Sequence, residues 1–144
     1  MNIIEKQEEI IEEFAYFEDW TQKYEHIIEL GKDLPLIDSS YKKDEYLIKG
    51  CQSQVWLFAE KGDDNKIYFT ADSDAIITKG LVALMIEVLS GQPAKDIAES
   101  DIYFIDKIGL KSHLSPTRSN GLLSMLKQMK QYAIAFHAQS LQKS

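Results

Sequence analysis

The hydrophobic pattern of this chain changes period twice, and that change constrains the fold more than any other feature. Near the amino terminus, apolar residues such as Ile3, Ile10 and Phe14 recur at helical spacing. The middle of the chain is instead rich in Tyr, Ile, Val, Trp and Phe, which favour strands. Helical spacing then returns up to the carboxyl terminus. This order predicts an α+β fold, in which helices pack against a small sheet.

The predicted sheet is antiparallel and three-stranded, with strands at residues 44–49, 54–61 and 66–71. Between the last two runs, Gly62-Asp63-Asp64-Asn65 is a strong turn signal, so a meander is the simplest topology. With 144 residues, 44% of them hydrophobic, the chain is long enough for one compact domain over residues 1–144.

Local signals predict where the helices begin and end. Gly31 suits a left-handed cap at the end of the second helix. Ser73 or Asp74 suits the N-cap of the helix that follows the sheet, and Ser115 with Pro116 suits the start of the last, long helix. The predicted helices cover about residues 3–14, 17–30, 75–89, 93–99, 102–108 and 116–136.

The charge is acidic and unevenly distributed. A net charge of −7 and a pI near 4.9 argue against a general affinity for nucleic acid or anionic membranes. Residues 1–45 hold 13 acidic and 5 basic side chains, whereas the remainder is nearly balanced. This first third suits either docking to a basic patch on a partner or a solvated helical surface, and the sequence leaves both open.

Nothing in the sequence predicts a membrane protein or an exported one. No stretch approaches the roughly 20 apolar residues of a membrane span. The acidic amino terminus lacks the pattern of a signal peptide. Together with a free thiol, this predicts a cytoplasmic location.

Cys51 is the only cysteine, and it follows Gly50 between two predicted strands. One sulfur can form neither an internal disulfide nor a four-cysteine metal site. A thiol in a loop can instead act as a nucleophile or carry a group covalently. Free cysteines are also often buried as small hydrophobes, although the polar neighbours Gln52 and Ser53 do not suit a core.

Three other residues could carry chemistry. Arg118 is the only arginine, and its planar fork suits bidentate carboxylate binding as well as a surface salt bridge. His113 could act as the base of a cysteine nucleophile or could simply pack, and no hydrolase signature surrounds it. Asp74 could cap a helix, contact Arg118 or lie near Cys51. The spacing of Cys51, His113 and Asp74 matches no metal motif.

The order of these segments resembles the SufE family of sulfur-acceptor proteins over nearly the whole chain. Two blocks are specific, Gly50-Cys51-Gln52-Ser53 followed by Trp56, and His113-Leu114-Ser115-Pro116 followed by Arg118. The other matching residues are Trp20, Tyr24, Leu30-Gly31, Leu34-Pro35, Ser73-Asp74-Ala75, Lys79-Gly80-Leu81, Gly109-Leu110 and Asn120-Gly121-Leu122.

The resemblance implies a fold shared with IscU-type iron–sulfur scaffolds, and a carrier function. Cys51 would accept sulfur as a persulfide from a SufS-type, pyridoxal-phosphate-dependent cysteine desulfurase, stimulate that enzyme, and pass the sulfur to a downstream iron–sulfur scaffold. No cofactor or metal of its own is implied. The implied supporting or partner-binding residues are Gly50, Gln52, Ser53, Asp74, His113 and Arg118.

Two alternatives remain on the sequence alone. A non-covalent binding module would remodel the desulfurase without using Cys51. A scaffold would hold a cluster itself, but that needs several thiolates, whereas a carrier needs one. The apolar run Val55-Trp56-Leu57 further predicts that the resting thiol is shielded in an apolar pocket.

Overall fold

The computed structural model describes residues 1–34, 37–48 and 53–142, without the side chains of Lys111 and Gln142. Helices and strands follow one another in the order α1 Ile3–Ala15, α2 Trp20–Lys32, β1 Val55–Lys61, β2 Lys66–Ser73, α3 Ile76–Leu89, β3 Gln92–Pro93, α4 Ala94–Glu99, α5 Phe104–Lys107, α6 Leu110–His113 and α7 Pro116–Gln142. Two 3₁₀ turns, Ser39–Tyr41 and Asp44–Tyr46, lie between α2 and β1. The structure confirms the predicted α+β fold, with helices around a three-stranded antiparallel sheet.

The sheet has the order β1-β2-β3, and its central hairpin was predicted. β1 and β2 pair in register from Val55 opposite Ser73 to Lys61 opposite Ile67. The predicted turn joins them, with Asn65 in the left-handed region at φ 64° and its amide donating to the Gly62 carbonyl at 3.1 Å.

The predicted first strand, residues 44–49, is wrong. Residues 44–46 form a 3₁₀ turn, Leu47 makes only an isolated bridge with Trp56, and Lys49 lies outside the described residues. Tyr46, the aromatic residue of this run, packs on the sheet instead, where it contacts Phe58 edge to face. The third strand is the short β3, which pairs with the start of β2.

Gly31 is not a left-handed cap, because α2 continues through it to Lys32. Its role is close packing against α3. A Cβ at Gly31 would lie 2.8 Å from the Gly80 amide nitrogen, and one at Gly80 would lie 2.2 Å from the Ile27 carbonyl oxygen. Real Cβ atoms are not found below 3.0 Å, so both glycines are needed where the two helices cross.

The predicted start of the last helix is confirmed. The Ser115 hydroxyl accepts a hydrogen bond from the Arg118 amide at 3.2 Å, as expected of an N-cap, and Pro116 is the first residue of α7. Gly109 has φ 81° and ends the turn of helix α5. Helix α6, which follows it, was not predicted.

The core lies between the sheet and α3, and α7 closes one side of it. Its largest fully buried side chains include Leu57, Ile67, Leu84, Met85, Leu89 and Met125. Gln7 on α1 is polar and fully buried, and its side chain bonds to the backbone of Asp101, Tyr103 and Phe104. Within the described ranges, no helix is both long enough and apolar enough to span a membrane.

Candidate functional site

The predicted site residues Gly50, Cys51 and Gln52 lie outside the described residues, but the structure describes both flanks. On one side, the Ile48 amide donates to the Val55 carbonyl at 2.9 Å. On the other side, Ser53 is two residues before Val55, the first residue of β1. Both flanks therefore lie at the amino-terminal end of β1.

The second flank is attached to the start of α3. The Ser53 and Thr78 hydroxyl oxygens are 3.3 Å apart and share a hydrogen bond. The Gln54 amide donates to the Asp74 carboxylate at 3.0 Å, and the Asp74 amide donates back to the Gln54 carbonyl at 3.2 Å. Three hydrogen bonds thus fix the residues that follow the Gly50-Cys51-Gln52 segment.

The expectation that Ser73 or Asp74 caps α3 is wrong. The N-cap of α3 is Ala75, which has no side chain to accept a hydrogen bond. The Asp74 carboxylate instead accepts a hydrogen bond from the Gln54 amide, and no ion pair joins it to Arg118 in the described part of the chain. Asp74 therefore contributes to this region by holding Gln54.

A small pocket of about 20 Å³ lies between α3, α7 and Ser53. Leu81, Leu122 and Met125 make its apolar side. Ser53, Thr78, Thr117 and Arg118 add polar groups at its lining, which Gly121 completes. The structure thus brings together two of the predicted site residues, Ser53 and Arg118.

Sequence reasoning missed Thr78 and Thr117. Thr78 lies in the first turn of α3 and Thr117 in the first turn of α7, and no local pattern distinguishes them from surface threonines. Thr117 is the unspecified position between Pro116 and Arg118, and Thr78 lies between two matching blocks, so their meeting at one pocket depends on how α3 and α7 pack.

Arg118 is exposed, and its backbone amide donates a hydrogen bond to the Ser115 hydroxyl. Among the residues that the structure describes, its guanidinium has no ion-pair partner. A salt bridge within the chain, one of its two interpretations, is therefore not supported. The group remains available for an external anion or a carboxylate of a partner.

His113 does not line the pocket. Its ring stacks on Trp20, with centroids 3.8 Å apart and 19° between the ring planes, and the Tyr24 hydroxyl donates to its backbone carbonyl. These contacts attach α6 to α2 just before α7 begins. They favour the packing interpretation of His113, since both its ring and its carbonyl are occupied by α2.

A buried carboxylate lies beside the same end of the sheet. Asp72 on β2 is opposite Trp56 and pairs with Lys42 at 2.6 Å and Lys79 at 3.4 Å. Burial raises the pKa of Asp72, but the hydrogen bonds from Lys42 and the Ser73 amide, with the charge of Lys79, outweigh it and lower the pKa overall. Sequence reasoning missed this cluster, which combines residues from three separate segments.

The described residues contain no group of three or more His, Cys, Asp or Glu side chains placed to hold a metal ion. Because Cys51 is outside the described residues, this finding concerns only the remainder of the chain.

Comparisons with known proteins place this geometry in a family. Residues 8–133 match the family model SufE, described as an Fe-S metabolism associated domain. An uncharacterized SufE-like protein of Rhizobium etli is 42% identical over 130 residues, which cover 88% of each chain. A similar protein of Rhizobium meliloti is 40% identical over 130 residues, 88% of this chain and 93% of the relative.

Two further proteins extend the comparison. SufE-like protein 1 of Arabidopsis thaliana, chloroplastic/mitochondrial, is 40% identical over 129 residues, 90% of this chain but 35% of the plant protein. The solution structure of a hypothetical protein from Thermus thermophilus has the same fold, with a TM-score of 0.77, 18% identity, and coverage of 92% of this chain and 96% of that one. The chain therefore belongs to the SufE family and has a role in iron–sulfur metabolism.

Proposed function

We propose that this protein is a sulfur carrier that accepts sulfane sulfur on Cys51 from the persulfide of a SufS-type cysteine desulfurase. The Cys51 thiolate attacks the terminal sulfur of the donor persulfide. The bond between the two donor sulfurs breaks, the donor cysteine leaves as a thiolate, and Cys51 becomes a persulfide. The exchange is a displacement like thiol–disulfide exchange, so it needs no external oxidant. Removal of the sulfur from the donor cysteine stimulates the desulfurase, and the sulfur then passes from Cys51 to an iron–sulfur scaffold.

The observation that supports this proposal most strongly is the pocket beside Ser53. Ser53 is two positions after Cys51, so covalent geometry keeps their Cα atoms within about 7.6 Å of each other. A thiol tethered at that distance can reach a pocket lined by Leu81, Leu122 and Arg118. Such a pocket suits a persulfide, because its apolar side excludes water from a reactive sulfur.

Two predicted supporting residues act through their neighbours in this proposal. Asp74 fixes Gln54, close after the Gly50-Cys51-Gln52 segment, whereas His113 fixes the start of α7 through Trp20. Arg118 is the docking residue, because its unpaired guanidinium can bind a carboxylate of the desulfurase. We place the reaction in the cytoplasm.

The test is the intact mass of the protein after incubation with a SufS-type desulfurase and cysteine. One transferred sulfur adds about 32 Da, and a reductant should remove it. Cys51→Ser should gain no mass and should not stimulate the desulfurase. If Cys51→Ser stimulates as well as wild type, covalent acceptance is wrong.

A non-covalent binding module is the second candidate, and the unpaired Arg118 is the observation that favours it. In that case Arg118→Met should abolish stimulation while Cys51→Ser leaves it intact. The carrier proposal predicts that both variants lose stimulation, but that only Cys51→Ser retains desulfurase binding in a pull-down assay.

A further inference from the structure

A pocket of about 430 Å³ lies at the far end of β1 from the Cys51 region. The hairpin that joins β1 and β2, the start of α4 and the last turns of α7 form its lining. Its volume is within the range of roughly 300–1,000 Å³ that is usual for small-molecule sites. Strand β1 runs from Val55 to Lys61, and six steps along a strand span about 20 Å. The pocket is therefore separate from the site proposed for sulfur transfer.

The lining of this pocket is basic, although the chain as a whole has a net charge of −7. Lys61, Lys95 and His137 line it, and among the described residues no aspartate or glutamate does so. Neither lysine has an ion-pair partner within the part of the chain that the structure describes. Both ammonium groups are thus available to an anionic ligand.

The acidic side chains nearest in sequence are held elsewhere. Asp64 in the hairpin turn accepts a hydrogen bond from the Tyr68 hydroxyl at 2.6 Å. Asp96 on α4 lines a different pocket, beside the amino terminus of the chain. Glu60 precedes Lys61 on β1, and successive side chains of a strand point to opposite faces. The positive charge of the lining is therefore not neutralised by these neighbours.

The rest of the lining is mostly apolar. Ile67 is fully buried there, and Pro93 and the half-buried Phe136 add a ring each. We propose that this pocket binds a phosphate monoester of a ring compound, with the phosphate at Lys61 and Lys95 and the ring against Phe136. Lysine binds phosphate as a point charge, and aromatic rings pack favourably on one another. The inference goes beyond the sulfur-carrier function and does not depend on it.

The number of charges and donors selects a phosphate over a carboxylate. A phosphate monoester carries about −1.5 to −2 charges at pH 7 and three acceptor oxygens. Lys61 and Lys95 supply two positive charges, and the side chains of His137 and Asn65 supply further N–H donors. A carboxylate carries one charge on two oxygens, so it would compensate only one of the two lysines. The volume also exceeds what a phosphate group alone fills, which leaves room for the ring.

The experiment is a titration of the full chain with phenyl phosphate, followed by amide chemical shifts. Inorganic phosphate, benzoate and phenol are titrated separately at matched ionic strength. Phenyl phosphate should give saturable shifts at Asn65, Lys95 and Ser140, and each of the other three should bind more weakly. Absence of saturation with phenyl phosphate would overturn the proposal. Equal affinity for inorganic phosphate would reject the ring assignment, and equal affinity for benzoate or phenol would reject the phosphate assignment.

Two variants test whether the basic lining is responsible. Lys95→Met removes one charge and keeps an apolar stem, and it should weaken phenyl phosphate binding roughly three- to tenfold. Lys66→Met is the matched control, because Lys66 lies on the same hairpin as Lys61 but does not line the pocket. Its effect should stay below about twofold, since solvent and salt screen an exposed charge that does not contact the ligand. Equal weakening by both variants would show a general effect of net charge and would overturn the site.

The same proteins separate this proposal from the carrier function. Phenyl phosphate binding that depends on Lys95, without any sulfur gain on Cys51, would retain the pocket and reject the carrier. Sulfur gain on Cys51, with phenyl phosphate affinity unchanged by Lys95→Met, would retain the carrier and reject the pocket.

Discussion

Replacing Gly80 by alanine tests whether close helix packing outweighs helix propensity. At an ordinary helix position, alanine is favoured over glycine by about 1 kcal/mol. At Gly80, however, the new Cβ would lie 2.2 Å from the Ile27 carbonyl oxygen and 2.5 Å from the Ile27 Cγ2 atom. Ordinary van der Waals contact begins at 3.4 Å, so α2 and α3 would have to separate by roughly 1 Å at their crossing.

The expected result is a net loss of stability. Overpacking costs about 1–3 kcal/mol, and the upper end applies because the nearest atom belongs to the backbone and cannot rotate away. After the gain in helix propensity of about 1 kcal/mol, Gly80→Ala should lower the free energy of unfolding by about 2 kcal/mol. In urea, that corresponds to a decrease in the unfolding midpoint of about 1 M.

The assay is urea unfolding followed by far-ultraviolet circular dichroism. Gly62→Ala is the matched control, because a Cβ there would meet only the side chains of Tyr68 and Asp64, which are exposed and can move. It should change the free energy of unfolding by less than about 1 kcal/mol. A Gly80→Ala protein at least as stable as wild type would show that the α2–α3 crossing is not closely constrained.

Three further changes test buried or partly buried polar groups by urea unfolding. Gln7→Leu should cost about 2–4 kcal/mol, because backbone groups including the buried Phe104 amide lose their partner; a loss below about 1 kcal/mol would show that water replaces the amide. The pKa of Asp72 is lowered in the folded state, so its stabilisation is complete above about pH 4 and lost as pH falls through the folded pKa. Asp72→Asn should therefore destabilise at pH 7, with a difference that shrinks in acid; a pH-independent difference would contradict this. Burial, with the charges of Glu13 and Glu9, raises the pKa of Glu87, so the charged form is disfavoured at pH 7. Glu87→Gln should stabilise there, and this gain should vanish below about pH 4; destabilisation at pH 7 would refute the assignment.

The sequence predicted the types of most elements and several of their ends. Periodicity separated helices from strands because burial on one face repeats at the period of the element itself. The hairpin turn at residues 62–65 and the cap at Ser115 were also predictable, since each depends on residues within four positions of one another. Motif order was enough to suggest the family and to single out Cys51.

Predictions failed where the partner lies far away in the sequence. Leu47 makes only a single bridge to Trp56 on β1 and does not extend into a strand. The third strand, β3, instead pairs with β2 at the opposite edge of the sheet, and no local pattern at Gln92 indicates this. Gly31 resembled a helix cap because glycine occurs both at helix ends and where two helices cross closely. Only the position of Gly80 on α3 shows that Gly31 serves the helix crossing.

The sequence by itself determined the α+β class, the family, and the single thiol on which the proposed chemistry depends. Tertiary structure decided what surrounds that region: Thr78 meets Ser53 across 25 positions of the chain, and Arg118 lines the same pocket from α7. The physical reason is that a motif records contacts within a few residues. A pocket between two helices depends instead on how closely they pack against the sheet and against each other.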